Sequence, residues 1–288
     1  MGTRATEICK PHWKRAVVLF LAVILLCDLG SKHAFTQSGA GLDLSKFQIT
    51  FSEEFDSLSV SPWGPNTRWI AHTPWAGDFG DAQFADPRLG VFPFTINDGI
   101  LRIEAKKNAA GKWESGLLAS ADSNGRGFSQ QYGYFEMRAK LPKGKGVWPA
   151  FWLSSVADPK ATTSIELDVV EFYGHAPDRF QSVIHTWYVN PADKAADKAP
   201  DIPVHFTMVP PDSLSDNFND FGVLVGKETV TFYLNKKEIW REATPAKLSR
   251  PFIILLNLAL GSGFPIDETP NPSYMYVDYV RAYKKSEP

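Results

Sequence analysis

Between Phe47 and Tyr283 the chain is written in strand-length runs separated by turn residues, and no helical apolar stripe of any length interrupts them. FQITFSEEF (47–55) precedes Asp56. FTINDGILRIEAKK (94–107) doubles back at Asn97, Asp98 and Gly99, residues that tolerate positive φ and so favour a hairpin. YGYFEMRAKL (132–141) sets Tyr134, Glu136, Arg138 and Lys140 on one face against Phe135, Met137, Ala139 and Leu141 on the other. ETVTFYLNKKEIW (228–240) turns near Asn235, and MYVDYVRAY (275–283) alternates again. FIILLNLAL (252–260) is apolar almost throughout, as a strand covered on both faces would be. Two packed antiparallel sheets are the architecture that uses such a pattern.

Composition narrows the function. With 30 basic and 32 acidic residues the net charge is -2, so there is no basic footprint for nucleic acid or an anionic membrane surface. Cys9 and Cys27 are the two cysteines of the chain, and both precede Gly30. Thiolate metal sites, disulfide scaffolds and cysteine nucleophiles are thereby excluded from the body. Twenty Phe, nine Tyr and nine Trp suit a protein that grips a ligand with apolar faces.

Residues 1–40 read as an export segment. Arg4, Lys10, Lys14 and Arg15 precede the apolar run 16–27. Its twelve residues rise about 18 Å as a helix, short of a hydrocarbon core of roughly 30 Å. The cleavage site is poor, so an uncleaved anchor stays open beside secretion. From residue 41 to 288 nothing splits the chain, and it is expected to form one domain. NPADKAADKAP (190–200), followed by Pro203, Pro210 and Pro211, reads as a long surface excursion.

The chemistry lies in SIELDVVEFYG (164–174). Glu166 and Asp168 share a strand face, while Ile165, Leu167 and Val169 point to the other. Glu171 has the wrong parity, and a β-bulge at Val169 and Val170 would return it to the face of the other two acids. A fold has no structural use for such a row of like charges. An edge strand carrying solvated acids, or a hard-cation site, are the competing readings. Two glutamates over a shorter aspartate suit glycoside hydrolysis, where one carboxyl must stay ionised and its partner protonated.

ELDVVE resembles the E-x-D-x-x-E signature of glycoside hydrolase family 16 in its bulged form. YGYFEMRAKLPKGKGVWPAFWLSS (132–155), FGVLVGKETVTFYLNKKEIWR (221–241), ILLNLALGS (254–262) and MYVDYVRAY (275–283) are similar to that family's strands, in family order. The resemblance spans roughly residues 47 to 283. It implies an all-β, β-jelly-roll sandwich of two antiparallel sheets with a concave substrate cleft. It also implies retaining endo-hydrolysis of β-1,3/1,4-glucans or a related bacterial exopolysaccharide of succinoglycan type. By the same resemblance Glu166 is the nucleophile, Glu171 the acid/base and Asp168 the assisting acid.

Further expectations follow the resemblance. Trp148 and Trp152 share strand parity and resemble family tryptophans that line the sugar cleft, with core packing as the alternative for either. Glu136 resembles a substrate-contacting glutamate. His185 and Trp187 alternate onto one face of the next strand, while Trp75 and Asn257 are placed at the cleft more weakly. No cofactor is required for catalysis. A structural calcium on the convex side would be held by Asp278, the backbone of Gly99 and Glu54, an ordinary turn being the alternative. The long stretch from Asn190 to Asn219 and the GVLVGK after Phe221 depart from compact relatives and leave linkage open. A transglycosylase and a non-catalytic polysaccharide-binding protein are the other readings. The expected partner is a polysaccharide, met by a monomer with no protein partner.

Overall fold

The computed structural model describes residues 41–75, 77–86, 92–197 and 202–286, so the expected export segment lies outside the described residues. Two large sheets build the body. The first contains β1 (Phe47–Glu53), β4 (Gln83–Phe84), β5 (Phe94–Asn97), β6 (Ile100–Lys107) and β7 (Trp113–Ser115). It is completed by β9 (Gly133–Lys140), β14 (Asn219–Val225), β15 (Thr229–Leu234), β16 (Lys237–Ala243) and β18 (Ser273–Lys285). The second contains β2 (Val60–Ser61), β3 (Trp69–Ile70), β8 (Leu117–Ala119) and β10 (Val147–Ser155). Its remaining strands are β11 (Thr163–Glu171), β12 (Arg179–Tyr188), β13 (His205–Met208) and β17 (Phe252–Leu260).

The second sheet runs β13-β12-β11-β10-β17-β8-β3-β2, which puts the acid-bearing β11 well inside it, one strand from β10 and one from β12. All its long pairings are antiparallel, and β17 is buried at all nine positions, as its continuous apolar run requires. The main core lies between the sheets and takes Phe135, Met137 and Ala139 from one side and Ile165, Leu167, Leu256 and Leu258 from the other. Both sequence hairpins form. Asp98 and Gly99 join β5 to β6 with φ of 50 and 74°, and Asn235 and Lys236 join β15 to β16 with φ of 51 and 63°. Such positive-φ pairs match the right-handed twist of the strands they connect.

The excursion after β12 carries a short helix, α1 (Pro191–Ala196), and a second, α2 (Ser213–Asp216), precedes β14. Proline at the start of α1 costs no hydrogen bond there, which the loop reading of this stretch did not use. Among the described residues no helix is long and apolar enough to cross a membrane.

Candidate active site

The bulge in β11 assembles the site. On one side Phe151 faces Val170 and Trp152 faces Asp168, so Val169 has no partner in β10. On the other, Asp168 faces Val183 and Glu171 faces Gln181, three steps against two. One inserted residue therefore brings Glu171 onto the face of Glu166 and Asp168 while Val169 and Val170 both stay buried. This face looks away from the sandwich core.

Each acid has its own surroundings. Glu171 accepts the indole N–H of Trp148 at 2.8 Å and the Tyr173 hydroxyl at 2.6 Å on one oxygen, and the Gln181 amide on the other. Asp168 is buried, with its Oδ2 3.3 Å from Nε2 of His185. Glu166 faces His185 across the strand pair and receives a hydrogen bond from Trp187. Burial, and then the Asp168 charge, push the Glu166 carboxyl well above the ordinary range, against the pull of His185 and Trp187. Asp168 is raised by burial too, opposed by its bond to His185. For His185 burial alone would lower the imidazole, but the bond and charge of Asp168 outweigh it and hold it up. Among the described residues no lysine or arginine pairs with any of the three acids.

One oxygen each from Glu166 and Asp168 and one nitrogen from His185 lie within 4.8 Å of one another, close enough to share a cation. They are equally a proton-sharing set, in which a histidinium would favour ionised carboxylates.

Aromatic walls surround the acids. Trp148 stacks on Tyr173 at 6.1 Å, and Phe79 meets Trp148 and Trp152 edge-on at 5.3 and 5.9 Å. Trp75 also meets Trp152 edge-on, at 5.9 Å, and its own outer edge is exposed. Trp187 is 52% exposed and stacks on His185. Asn257 is buried completely. It accepts the Trp152 indole N–H at 2.8 Å and donates to the Trp148 carbonyl at 3.4 Å, so it orients the two tryptophans from beneath rather than reaching a ligand.

Glu136 was expected here and is not brought to the cleft, whereas Glu54, Gly99 and Asp278 were expected at a calcium on the convex side. Glu136 lies in β9 of the other sheet, fully buried, where it accepts the hydroxyls of Tyr134 at 2.5 Å and Tyr279 at 2.9 Å and pairs with Lys236. The sandwich core separates it from the cleft, which corrects its reading as a sugar contact. Glu54 is clamped by Arg281 at 2.8 and 2.6 Å, and Asp278 pairs with Arg138 at 3.0 Å. A Cβ built at Gly99 would meet the backbone carbonyl of Glu54 at 3.8 Å. Two carboxylates already held by guanidinium groups do not fit a calcium cage, and no chemistry here is routed through that ion.

Sequence reasoning missed Tyr173, Gln181 and Phe79. The first two had a signal: Tyr173 shares parity with Glu171, and Gln181 with His185 and Trp187. Phe79 sits in a loop, where no period operates.

The model for glycosyl hydrolases family 16 matches residues 93–280. Endo-1,3-1,4-beta-glycanase EglC of Rhizobium meliloti (strain 1021) is 33% identical over 275 residues, 87% of this chain and 54% of the relative. Endo-1,3-1,4-beta-glycanase ExsH of the same organism is 33% identical over 279 residues, with the same coverage. The chain thus spans about half the length of these two glycanases. The laminarinase of Rhodothermus marinus superposes with a TM-score of 0.64 at 22% identity, covering 84% of this chain and 98% of that one. The laminarinase catalytic domain of Thermotoga maritima MSB8 gives 0.63 at 23%, covering 84% and 100%. These likenesses carry the β-jelly-roll fold.

Proposed function

The chain belongs to glycosyl hydrolases family 16, and on that premise we propose that it is an endo-acting β-1,3/1,4-glucanase working by double displacement with retention. The observation that carries this reading is the bulged row itself, with Glu166 and Glu171 on one cleft face, Asp168 between them, and, among the described residues, no basic side chain but His185 to answer their charge. The bulge leaves four effective steps of about 3.3 Å between the two glutamates. Their side chains are long enough to lean together across a glycosidic bond, towards the roughly 5–5.5 Å that retention needs.

Glu166 attacks the anomeric carbon as a carboxylate. Its raised proton affinity makes it a stronger nucleophile once ionised, and His185 with Trp187 pulls it towards that form against burial and the Asp168 charge. Glu171 gives its proton to the departing oxygen and later takes one from water. The three donors on Glu171 suit the ionised half of that cycle. In the protonated half the Tyr173 hydroxyl can reverse and accept. Trp148 and Trp75 offer flat apolar faces to the C–H sides of sugar rings, while Trp152, buried against Phe79 and Trp75, supports them from behind.

The substrate class rests on the names of the two Rhizobium glycanases. Export by residues 1–40 and action as a monomer belong to the same reading. Reducing-end release from mixed-linkage β-glucan, β-1,3-glucan, agar, carrageenan and a succinoglycan-type exopolysaccharide tests it. Release on a β-glucan or the exopolysaccharide, absent in Glu166→Ala, is the expected result. Binding without release on any of them would make this a recognition protein instead.

A further inference from the structure

At the end of β17 the chain makes a turn that a serine does not suit. Gly261, Ser262 and Gly263 have φ of 87, 56 and 85°, and the Phe264 amide donates to the Gly261 carbonyl at 3.1 Å to close the turn. Positive φ at both central positions favours Gly or Asn at the first of them, so Ser262 is strained there. The turn is fixed from outside as well. The Gly261 amide donates to the Gly146 carbonyl at 2.9 Å, and a Cβ built at Gly261 would meet Oδ2 of Asp81 at 1.8 Å. A glycine at 262 would fit this backbone better, and what the serine adds is a hydroxyl.

That hydroxyl lies 3.3 Å from the hydroxyl of Tyr173, which lies 2.6 Å from Oε1 of Glu171. The tyrosine ring is held by Trp148, stacked on it at 6.1 Å, and by Phe264 of the same turn, edge-on at 5.3 Å. Burial, and then the Glu171 charge, push the Tyr173 hydroxyl well above its ordinary range, so it keeps its proton and re-aims it. The three partners of Glu171 differ in what they can do when its charge changes. The Trp148 indole only donates, and Gln181 turns its amide nitrogen to the carboxylate, whereas a tyrosine hydroxyl can also accept. To accept, Tyr173 must send its own proton elsewhere. Among the described residues Oγ of Ser262 is the other oxygen its hydroxyl meets.

We propose that Ser262 is a positioning residue for the acid/base, acting through Tyr173 as a reversible pair of hydroxyls. With Glu171 ionised, Ser262 donates to Tyr173 and Tyr173 donates to the carboxylate. With Glu171 protonated and the cleft open, the carboxyl donates to Tyr173 and Tyr173 donates to Ser262. No proton leaves its oxygen; the two hydroxyls rotate. The protonated Glu171 that the first step consumes thereby keeps Tyr173 as a partner. This role rests on the glucanase reading and deepens it at the acid/base. Other groups titrate nearby. Glu166 and Asp168 on β11 and His185 on β12 feel the Glu171 charge, His175 lies 5.8 Å from the Tyr173 ring with Arg179 acting on it, and Asp81 closes on Gly261. Among the described residues none of these shares a hydrogen bond with Ser262, so an effect that needs both Ser262 and Tyr173 belongs to the pair.

The test compares the full chain with Ser262→Gly, Tyr173→Phe and the double variant. Its two probes are a β-1,3-gluco-oligosaccharide and an aryl glycoside of the same sugar whose leaving group needs no proton. Ser262→Gly should melt close to the wild type, because relief of the turn offsets a freer unfolded chain. On the oligosaccharide its alkaline limb of kcat/KM, which reports the free enzyme, should move about 0.5–1 pH unit lower, the scale of one neutral hydrogen bond. The rate on that limb then falls about three- to tenfold. The aryl glycoside should stay within about twofold, since its first step draws no proton from Glu171. In the Tyr173→Phe background Ser262→Gly should add nothing. An unmoved alkaline limb, equal losses on the two probes, or an effect of Ser262→Gly undiminished beside Tyr173→Phe overturns the hydroxyl pair. In each of those cases the wild type still cleaves the oligosaccharide, and the glucanase reading stands. A wild type that cleaves neither probe overturns both.

Discussion

The two sheets each carry a cluster of acids on the face turned away from the core, and the clusters are built on opposite terms. On the first sheet Glu136 meets Lys236, Asp220 and Asp278 meet Arg138, and Glu54 meets Arg281. The hydroxyls of Tyr134 and Tyr279 complete the shell of Glu136. On the second, three acids share a single imidazole, and burial lifts two of them. The first arrangement is stable because every charge is answered, and for the same reason it has nothing left to offer a ligand. The second keeps proton affinity high where a bond is to be broken, at a cost in stability. Composition alone does not separate the two; compensation does.

The sharpest way to break this contrast is to remove one acid from each face. Glu166→Ala should lose roughly 10⁴-fold or more in kcat, because in the proposed double displacement Glu166 forms the covalent intermediate. Glu136→Gln should leave kcat within about twofold, since it lies across the core from the cleft. A loss of activity in Glu136→Gln as deep as in Glu166→Ala would end the division between the faces.

Next in size is Glu171→Ala. Polysaccharide hydrolysis should fall by about 10²–10⁴-fold, the range of a lost general acid. An aryl glycoside whose leaving group needs no proton should lose far less in its first step. Equal losses on the two substrates would contradict an acid role for Glu171.

The strands and the acid row were legible in the sequence because both are periodic. Parity alone placed Phe135 and Met137 inside, and the misfit of Glu171 was enough to foresee the bulge. Parity also assigned Glu136 to a polar face correctly, but it does not say which of two sheets owns that face. That information lies in pairings between β9, β14 and β18, which are distant in sequence. The pairing of the two carboxylates expected at a calcium was hidden for a related reason. Arg138 and Arg281 are one strand away from their acids in space and far from them along the chain, so no local spacing reveals that the carboxylates are already taken. Phe79 was hidden because its loop has no period to read.

On the compensated face the expected cost is structural. Lys236→Met strips the cation from Glu136, which has no exposure to water of its own. A fully buried pair broken this way costs about 3–5 kcal/mol. Lys236 is itself about a third exposed, so a loss of about 2 kcal/mol is expected. In a domain of this size that lowers Tm by about 4–8 °C. Glu136→Gln combined with Lys236→Met should recover part of it, because the uncompensated charge is then gone. A double variant no more stable than Lys236→Met alone would show that Lys236 acts through packing rather than charge.

The smallest effect runs in the opposite direction and falls on the catalytic face. Glu166 holds its proton to higher pH in the fold than in the unfolded chain, where a glutamate titrates at about 4.3. Between those two points the folded state binds more protons than the unfolded state, so stability falls as pH rises. Below about pH 4 both states are protonated and the difference vanishes. Glu166→Gln removes the titration, so its Tm should match the wild type at pH 4 and exceed it at pH 7.5. The gain should be about 1–2 kcal/mol, or about 2–8 °C. The same shift places the acid limb of kcat/KM in the wild type above the ordinary glutamate range, since the nucleophile must be ionised to attack. Thermal melts of the two proteins across that pH range decide the matter. A difference independent of pH, or a variant less stable at pH 7.5, would mean that the charge of Glu166 is as well answered as that of Glu136, and the contrast between the two faces would fall.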